Sequence, residues 1–344
     1  MLNYNSLKCL RKLEAKVLEF WYRPLPKALF FLKAWNCFFQ LIYVFNKKPE
    51  KLKKLQIPII IVGNLTVGGT GKTPCIISLI NLLKQQGHKP GIISRGYKGS
   101  YLEKQKFLLV NALSQVSETG DEALLLYQST WVPVVLSEDR NLAAQKLVEH
   151  YSEITIIISD DGLQHNRLPR SIEILLIDGM RGFGNGLCLP FGPLREPVKR
   201  LKTVDLIAVK PPIFQNNSDI LSQLKINYLP LVFELMSDLS PYVGKKVHAV
   251  TGIANPESFF RLLENLGIQI IRHAFPDHHT FESKDFEFVL NETLPCLITE
   301  KDAVKCRHLS NPALQFFIVK MQLKFNENLK QALLNLIPFN TTEN

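Results

Sequence analysis

The chain has 344 residues, of which 46% are hydrophobic and 21% are charged, and its formal net charge is +10. This composition excludes a disordered protein and is typical of a globular chain with room for one large domain and a smaller one. Six scattered cysteines without a C-x-x-C pair argue against a zinc site and a disulfide framework, and they favour a reducing cytosol.

The positive charge is concentrated in residues 1–54, which hold twelve Lys and Arg against three Glu. The remainder of the chain is therefore nearly neutral. A nucleic-acid-binding protein carries its basic residues around the binding site or along a groove. This distribution predicts no nucleic-acid partner.

The same 54 residues carry apolar side chains at helical spacing. Between Leu7 and Trp21 they recur every three or four positions, with Lys and Arg on the opposite side, and Pro24 breaks this helix. An apolar run of 18 residues follows, from Ala28 to Phe45. A helix would gather the three polar residues that interrupt it into one narrow stripe: Lys33, Asn36 and Gln40.

These features predict a membrane-associating helical arm over residues 1–54. It would lie in the interface, with its apolar side in the acyl chains and its lysines towards anionic headgroups. One alternative is a helical hairpin packed on the protein's own core. The other is a single-pass span, although a span needs about 20 apolar residues and gains nothing from a polar stripe. A cleaved signal peptide is not expected, because no A-x-A-like site follows the apolar run.

A glycine-rich loop lies between a predicted strand at residues 57–62 and a predicted helix at residues 75–85. It follows the phosphate-binding pattern G-x-x-x-x-G-K-[ST], except that Thr66 stands in place of the first glycine. Glycines let backbone N–H groups turn onto phosphate oxygens, and the helix N-terminus adds positive charge. Because Thr66 precedes the tight turn, we expect a phosphate site formed by Gly68, Gly69, Thr70, Gly71, Lys72 and Thr73.

This loop predicts ATP and Mg²⁺ as ligands. Lys72 would contact the β- and γ-phosphates, and the Thr73 hydroxyl would bind the metal. A second metal ligand is expected where another strand ends, and the apolar run at residues 154–159 is followed by Asp160 and Asp161. We predict that Asp160 binds Mg²⁺ and that Asp161 either supports the metal ligands or faces the substrate, although paired Asp residues can also form an ordinary turn.

Further polar residues follow predicted strands. Gln164 and His165 are candidates to position substrate or phosphate. Arg95 and Arg140 each come directly after a strand and are candidate substrate contacts, and Arg195 suits bidentate contact with a phosphate. Each arginine could instead be a surface ion-pair partner.

Two more candidates have ordinary structural explanations. Asp121 opens an apolar helical run and could simply be a helix N-cap. His278 and His279 are adjacent in the chain, and a histidine without a known partner is usually structural. From the residues alone, both alternatives stay open.

Eight segments occur in a distinctive order: GNLTVGGTGKTP, ISRGYKG, TGDEALLL, DDGLQHNRLPR, GNGLCLPFGPLREP, TGIANPESFF, FPDHHTF and TEKDAVK. Together they resemble the tetraacyldisaccharide 4'-kinase family, the lipid A kinase of Gram-negative bacteria, from about Ile57 to Lys305. The Thr66 variation is similar to that family's own loop. The resemblance implies ATP-dependent phosphorylation of the 4'-hydroxyl of a tetraacylated glucosamine disaccharide 1-phosphate. It also implies a peripheral protein at the cytoplasmic face of the inner membrane.

The resemblance assigns roles to the open candidates. It implies that Asp121 is the general base, paired with a histidine of the second domain. The family pattern points to His278, while the adjacent His279 keeps that choice open. Lys72 and Arg195 complete the implied catalytic set, with Arg195 on the γ-phosphate of ATP or on the 1-phosphate of the lipid.

The predicted fold class is α/β. Strands predicted near 57–62, 91–94, 107–110, 132–136, 154–159, 173–178 and 205–210 alternate with helices or long loops. This order favours a doubly wound, mostly parallel sheet. We predict a P-loop kinase core at 55–240, a smaller α/β domain at 241–310 and a tail at 311–344 that packs back on the core, in a monomer.

Two other function classes fit less well. A P-loop GTPase or ATPase switch would need an N-K-x-D-like motif, which does not occur, or a hydrolytic Gln directly after D-x-x-G. The segment from Asp160 to Gln164 imitates that second feature only loosely. A nucleic-acid motor would spread positive charge over the core.

Overall fold

The computed structural model describes residues 16–23, 31–32, 34–36, 57–103, 105–292, 294–309 and 314–337. Most of the predicted arm, at 1–54, lies outside the described residues, as does the end of the predicted tail. The described residues form two compact units. The first lies within Met1–Lys72, Ser159–Leu231 and Asn326–Phe339, and the second within Thr73–Ile158 and Val232–Phe325.

Strands alternate with helices along the chain. The strands are β1 Ile59–Gly63, β2 Pro90–Ser94, β3 Leu108–Val110, β4 Val134–Leu136, β5 Ile156–Asp160, β6 Ile172–Asp178, β7 Leu206–Lys210, β8 Leu229–Pro230, β9 Val232–Leu235, β10 Lys246–Thr251, β11 Gln269–Ala274, β12 Cys296–Thr299, β13 Phe316–Val319 and β14 Met321–Lys324. The helices are α1 Lys72–Gln85, α2 Val116–Thr119, α3 Asp121–Thr130, α4 Arg140–His150, α5 Gln215–Gln223, α6 Pro256–Asn265, α7 Glu287–Asn291, α8 Glu300–Cys306 and α9 Glu327–Leu336.

In the first unit, β1, β6, β7 and β8 are neighbours in that order, and all are parallel. All residues of β1 and β6 are buried, which explains their nearly continuous apolar sequences, because parallel strands are covered on both faces. The carboxyl ends of parallel strands lie at one edge of a sheet. The glycine-rich loop after β1 and Asp178 at the end of β6 therefore lie at the same edge.

In the second unit, neighbouring strands follow the order β3-β4-β2-β5, with β3 antiparallel to β4 and β2 parallel to β4. A four-stranded parallel sheet of order β11-β10-β12-β13 follows later in the chain. Its core includes Val247, Phe260 and Leu297. Strands β14 and β9 form an antiparallel ribbon.

The prediction of a mostly parallel α/β fold with a smaller α/β part is confirmed. The seven strands predicted from the sequence all form, with ends shifted by at most two residues. Four cysteines in the described part of the chain are free and buried.

The described part of the arm packs on the first unit. Trp21 donates its Nε1–H to the carbonyl oxygen of Pro190 at 3.1 Å. Asn36 is buried and donates to the carbonyl oxygen of Cys188 at 3.1 Å, so this residue of the stripe faces the protein. Phe31 and Trp35 instead point outward, with 55% and 54% of their surface exposed. Within the described ranges, no helix combines the length and hydropathy that crossing a bilayer requires.

Candidate active site

The glycine-rich loop joins β1 to α1, as the sequence predicts. Gly68 and Gly71 have φ angles of +102° and +88°, which side-chain-bearing residues rarely adopt, so glycine is required at both turns. Helix α1 begins at Lys72, and Thr73 is in its first turn. The Thr70 hydroxyl is buried and has no hydrogen-bond partner among the described residues. The loop therefore combines the backbone shape of a phosphate cradle with an unused buried hydroxyl.

Asn64, directly after β1, shapes the start of this loop and was missed by the sequence reasoning. It is fully buried and donates to the carbonyl oxygens of Thr66, at 2.8 Å, and Gly68, at 3.2 Å. Its Oδ1 accepts from Lys72 Nζ at 3.2 Å. One side chain thus bridges both ends of the loop.

The GPLRE segment runs beside the same loop. The backbone N–H of Val67 donates to the Pro193 carbonyl at 2.9 Å, and that of Arg195 donates to the Leu65 carbonyl at 2.6 Å. These bonds fix Arg195 next to the phosphate loop. The role of Arg195 at a phosphate stays a prediction.

Asp161 lies between two cations. Its carboxylate is 3.5 Å from Lys72 Nζ and 2.7 Å from Arg195 NH1. Burial alone would raise the pKa of Asp161, but the charges of Lys72 and Arg195 outweigh it and lower the pKa. Its φ angle is +50°, a left-handed conformation that costs free energy and is often found at functional sites.

Gln164 extends this cluster. It accepts from Arg195 at 3.5 Å and donates to the Asn64 carbonyl at 3.3 Å. His165 is half-buried, and its carbonyl oxygen accepts from Arg170. Asp160, at the end of β5, is 5% exposed, a position that suits a metal-binding carboxylate.

Arg181 is a second residue that the sequence reasoning missed. It follows β6, and its guanidinium donates to the Gly69 carbonyl of the phosphate loop. Its Nε is 3.6 Å from Asp178 Oδ2. Tyr22 of the arm lies nearby, and burial raises the pKa of its hydroxyl, partly offset by the charge of Arg181. The first unit thus brings a third cation to the loop.

In the second unit, Asp121 and His278 form the predicted pair. His278 Nδ1 lies 2.9 and 3.0 Å from the two carboxylate oxygens of Asp121. Asp121 is the first residue of α3 and is 4% exposed, while the N-cap is Gly120. His278 has a φ angle of +60°, and Tyr97 contacts its ring edge-on. Strain is therefore present at both Asp161 and His278.

The two adjacent histidines have different surroundings. His279 pairs with Asp285 at 2.8 Å and stacks on Phe275 within an aromatic cluster that includes Phe281. These contacts are typical of a structural histidine. His278, not His279, faces Asp121.

Lys301, in the first turn of α8, lies beside this pair. Its ammonium is 2.9 Å from Glu122, 3.4 Å from Asp277 and 3.7 Å from Asp121. Burial alone would raise the pKa of Asp121, but the hydrogen bond from His278 and the charge of Lys301 outweigh it and lower the pKa to about 2. Asp121 is therefore an ionised carboxylate at neutral pH.

The two remaining arginine candidates have protein partners. Arg95 NH2 is 2.8 Å from Glu138, and both side chains are more than half exposed. Arg140 is 3% exposed and donates to the Ser137 carbonyl at 2.6 Å. Arg95 is thus open to a ligand, whereas Arg140 lies within the protein interior.

The chain resembles known proteins over most of its length. Residues 30–338 match the family described as Tetraacyldisaccharide-1-P 4'-kinase. The tetraacyldisaccharide 4'-kinase of Hahella chejuensis is 46% identical over 73% of this chain and 73% of its own. That of Methylobacillus flagellatus is 44% identical over 80% of this chain and 82% of its own.

A solved structure agrees with these matches. LpxK from Aquifex aeolicus, solved in complex with ATP, has a TM-score of 0.69 and 28% sequence identity, and the match covers 90% of this chain and 98% of that one. The chain therefore belongs to the tetraacyldisaccharide-1-P 4'-kinase family.

Proposed function

We propose that this protein transfers the γ-phosphate of ATP to the 4'-hydroxyl of a tetraacylated glucosamine disaccharide 1-phosphate, a lipid A precursor. The observation that carries the proposal is the Asp121–His278 pair, because an acceptor hydroxyl needs a base that is not a metal ligand. Family membership, and the ATP bound to the Aquifex aeolicus relative, support the same reaction.

The phosphate loop supplies the nucleotide site. Backbone N–H groups from Gly68 to Gly71 bind phosphate oxygens, and Lys72 moves from Asp161 to the β- and γ-phosphates. Arg195 leaves the same carboxylate for a phosphate, on ATP or at position 1 of the lipid. Asp161 thus holds two cations near the loop until a substrate with phosphate groups replaces it.

Mg²⁺ fits the donor set. Thr73 and Asp160 offer a hydroxyl and a buried carboxylate, which are hard oxygen ligands. No cluster of three or more acidic, His or Cys side chains in the described ranges could hold a metal by itself. Phosphates and water must therefore complete the coordination, as is usual for Mg²⁺. When bound, the ion would neutralise charge on the transferred phosphate.

Asp121 and His278 accept the proton of the 4'-hydroxyl as one pair. A carboxylate with a pKa of about 2 is a weak base alone, but it stabilises the positive charge that a proton brings to the imidazole. His278 Nε2 is also 3.5 Å from Asp277 Oδ2, so the ring lies between two carboxylates. Because phosphoryl transfer has a loose transition state, the 4'-hydroxyl loses its proton late in the reaction.

Arg95, Gln164 and His165 are the proposed substrate contacts, and Arg140 is proposed to support the substrate site from the interior. Arg95 is half-exposed and paired with an exposed Glu138, so it can turn towards an anionic group of the lipid. Gln164 is held by Arg195 and the Asn64 carbonyl beside the phosphate loop. The buried side chain of Arg140 donates to the Ser137 carbonyl, so Arg140 would affect the substrate by holding the loop that begins at Ser137.

A cavity of about 670 Å³ in the second unit suits the nucleotide base. It is lined by Pro74 and Ile77 of α1, directly after the phosphate-binding residues, and by Glu300 of α8. Gln128 also lines it, with a buried Oε1 that has no hydrogen-bond partner among the described residues. A base with an amino group would satisfy that acceptor.

The arm places the enzyme on the membrane. Phe31 and Trp35 are exposed while Asn36 faces the protein, so the apolar side of this segment is available to acyl chains. We propose a peripheral monomer on the cytoplasmic face of the bacterial inner membrane. Residues 1–54 form the arm, 55–240 the kinase core, 241–310 the smaller domain and 311–344 the returning tail.

The test is transfer of labelled γ-phosphate from ATP to the purified disaccharide 1-phosphate in mixed micelles. We expect a product with one added phosphate, with formation that requires Mg²⁺. The same lipid without its 4'-hydroxyl is the matched control. Release of inorganic phosphate without a phosphorylated lipid would indicate a nucleotide switch instead.

A further inference from the structure

Lys301 occupies an unusual position beside the Asp121–His278 pair. Its ammonium has three carboxylates within 4 Å, from Glu122, Asp277 and Asp121, and its side chain is only 19% exposed. The first turn of α8 carries Lys301, α3 carries two of the acids, and the chain just before His278 carries the third. One cation therefore joins α8 to the two segments that carry Asp121 and His278.

The charge balance shows why the cation matters. Asp121, Glu122 and Asp277 bring three negative charges, and the ring of His278 lies between two of those groups. Without Lys301, the three carboxylates would repel one another in a partly buried space. Asp121 would then bind a proton more readily, and the His278 segment would lose the cation that links it to α3.

A second lysine on the same helix provides a contrast. Lys305 pairs with the fully buried Asp302 at 2.6 Å, and Asp302 also accepts from Thr251 and from the Gly252 backbone. The charge of Lys305 also lowers the pKa of Asp121, but its ammonium contacts Asp302 and not Asp121. Lys301 instead contacts acids outside that sheet, beside the Asp121–His278 pair.

We propose that Lys301 is a positioning residue of the phosphoryl-transfer reaction, which offsets the negative charge of the acids around His278 and holds the His278 segment against α3. The proposal rests on the proposed function for its kinetic consequence. Its electrostatic consequence does not depend on any activity.

The first test is the titration of the Asp121 carboxyl in the full-length protein, followed by ¹³C NMR. An opposite charge within 4–6 Å lowers a carboxyl pKa by about 1–3. In Lys301→Met, the Asp121 midpoint should therefore rise by about 1–3 pH units, whereas Lys301→Arg should leave it unchanged. Lys320→Met is the matched control, because Lys320 contacts Glu300 next in the chain and not Asp121. An unchanged midpoint in folded Lys301→Met would overturn the proposal.

The second test is the pH profile of kcat/KM for the lipid acceptor. In Lys301→Met, the acidic limb should move to higher pH by about one unit or more, and the KM for ATP should not change. If the KM for ATP rises and the acidic limb of the profile does not move, Lys301 is a nucleotide ligand and the proposal is wrong. If Lys301→Met does not fold, Lys301→Gln takes its place. A shifted Asp121 midpoint in Lys301→Arg would also overturn the proposal, because that variant keeps the positive charge.

The two proposals fail in different ways. If the wild-type protein does not phosphorylate the disaccharide, the proposed function is wrong, and the Asp121 titration still decides the role of Lys301. If the wild-type protein is active and the titration does not move, only the role of Lys301 is wrong.

Discussion

Replacing Asp121 and His278, singly and together, should show that they act as one catalytic pair. The two side chains meet at 2.9 Å, and Asp121 is 4% exposed. General base catalysis is typically worth about 10²–10⁴-fold in rate. Asp121→Ala and His278→Ala should each lose about that much kcat with little change in the KM for ATP. The double variant should be scarcely worse than the poorer single one, because residues that act together are non-additive.

The same pair has a measurable effect on stability. The pKa of Asp121 falls from its ordinary 3.8 to about 2, which corresponds to about 2.5 kcal/mol in favour of the folded state at neutral pH. Because this pKa is lowered, the contribution is present above pH 3.8 and is lost as the pH falls towards 2. Asp121→Asn should therefore reduce stability by up to that amount at pH 7 and by little near pH 2.

The assay is kcat in mixed micelles together with the melting temperature of each variant. His279→Ala is the matched control, because His279 pairs with Asp285 and should lose stability while keeping its turnover. A purely structural Asp121 at the start of α3 predicts about 1 kcal/mol of lost stability and nearly normal kcat. Additive losses in the double variant, or a thermal shift with intact kcat, would refute the pair.

Three further changes test the other parts of the site. Lys72→Ala should abolish phosphate transfer without unfolding the protein. An active variant with normal ATP affinity would show that the phosphate loop does not take part in the reaction. Asp160→Ala should lower kcat by orders of magnitude, and added Mg²⁺ should restore it only in part. If the Mg²⁺ dependence of the variant is unchanged, Asp160 is not a metal ligand. Phe31→Ser with Trp35→Ser, or deletion of residues 1–45, should release the protein from anionic vesicles in a pelleting assay and leave ATP binding intact. Trp131→Ser, at a residue 71% exposed, is the control, and an arm variant that still pellets would make the arm structural packing.

Features that depend on neighbouring residues could be predicted from the sequence. The apolar run at β1, the glycines after it and Lys72 at the start of α1 form one local unit, and the structure has it where the pattern predicts. The same holds for Asp160 at the end of β5. Backbone conformation and burial in these segments are set by residues a few positions apart.

Features that depend on distant residues could not be predicted in this way. His278 is 157 positions from Asp121, Lys301 is 179 from Glu122, and Arg181 is 112 from Gly69. No periodicity links such residues, and a lysine or arginine is more often on the surface.

Asn36 shows the same limit in the arm. Its helical spacing places it in a polar stripe with Lys33 and Gln40, which lie outside the described residues, but that spacing does not predict its contact with the Cys188 carbonyl 152 positions away. Sequence periodicity defines a face, and only tertiary contacts decide what that face meets.

The most direct test of the central claim is the identity of the phosphorylated product. The purified protein is incubated with γ-labelled ATP, Mg²⁺ and the tetraacylated disaccharide 1-phosphate, and the position of the new phosphate is determined by NMR and mass spectrometry. The account predicts one new phosphate on the 4'-oxygen, absent with Lys72→Ala. A label found on another hydroxyl, or found only as inorganic phosphate, would contradict it.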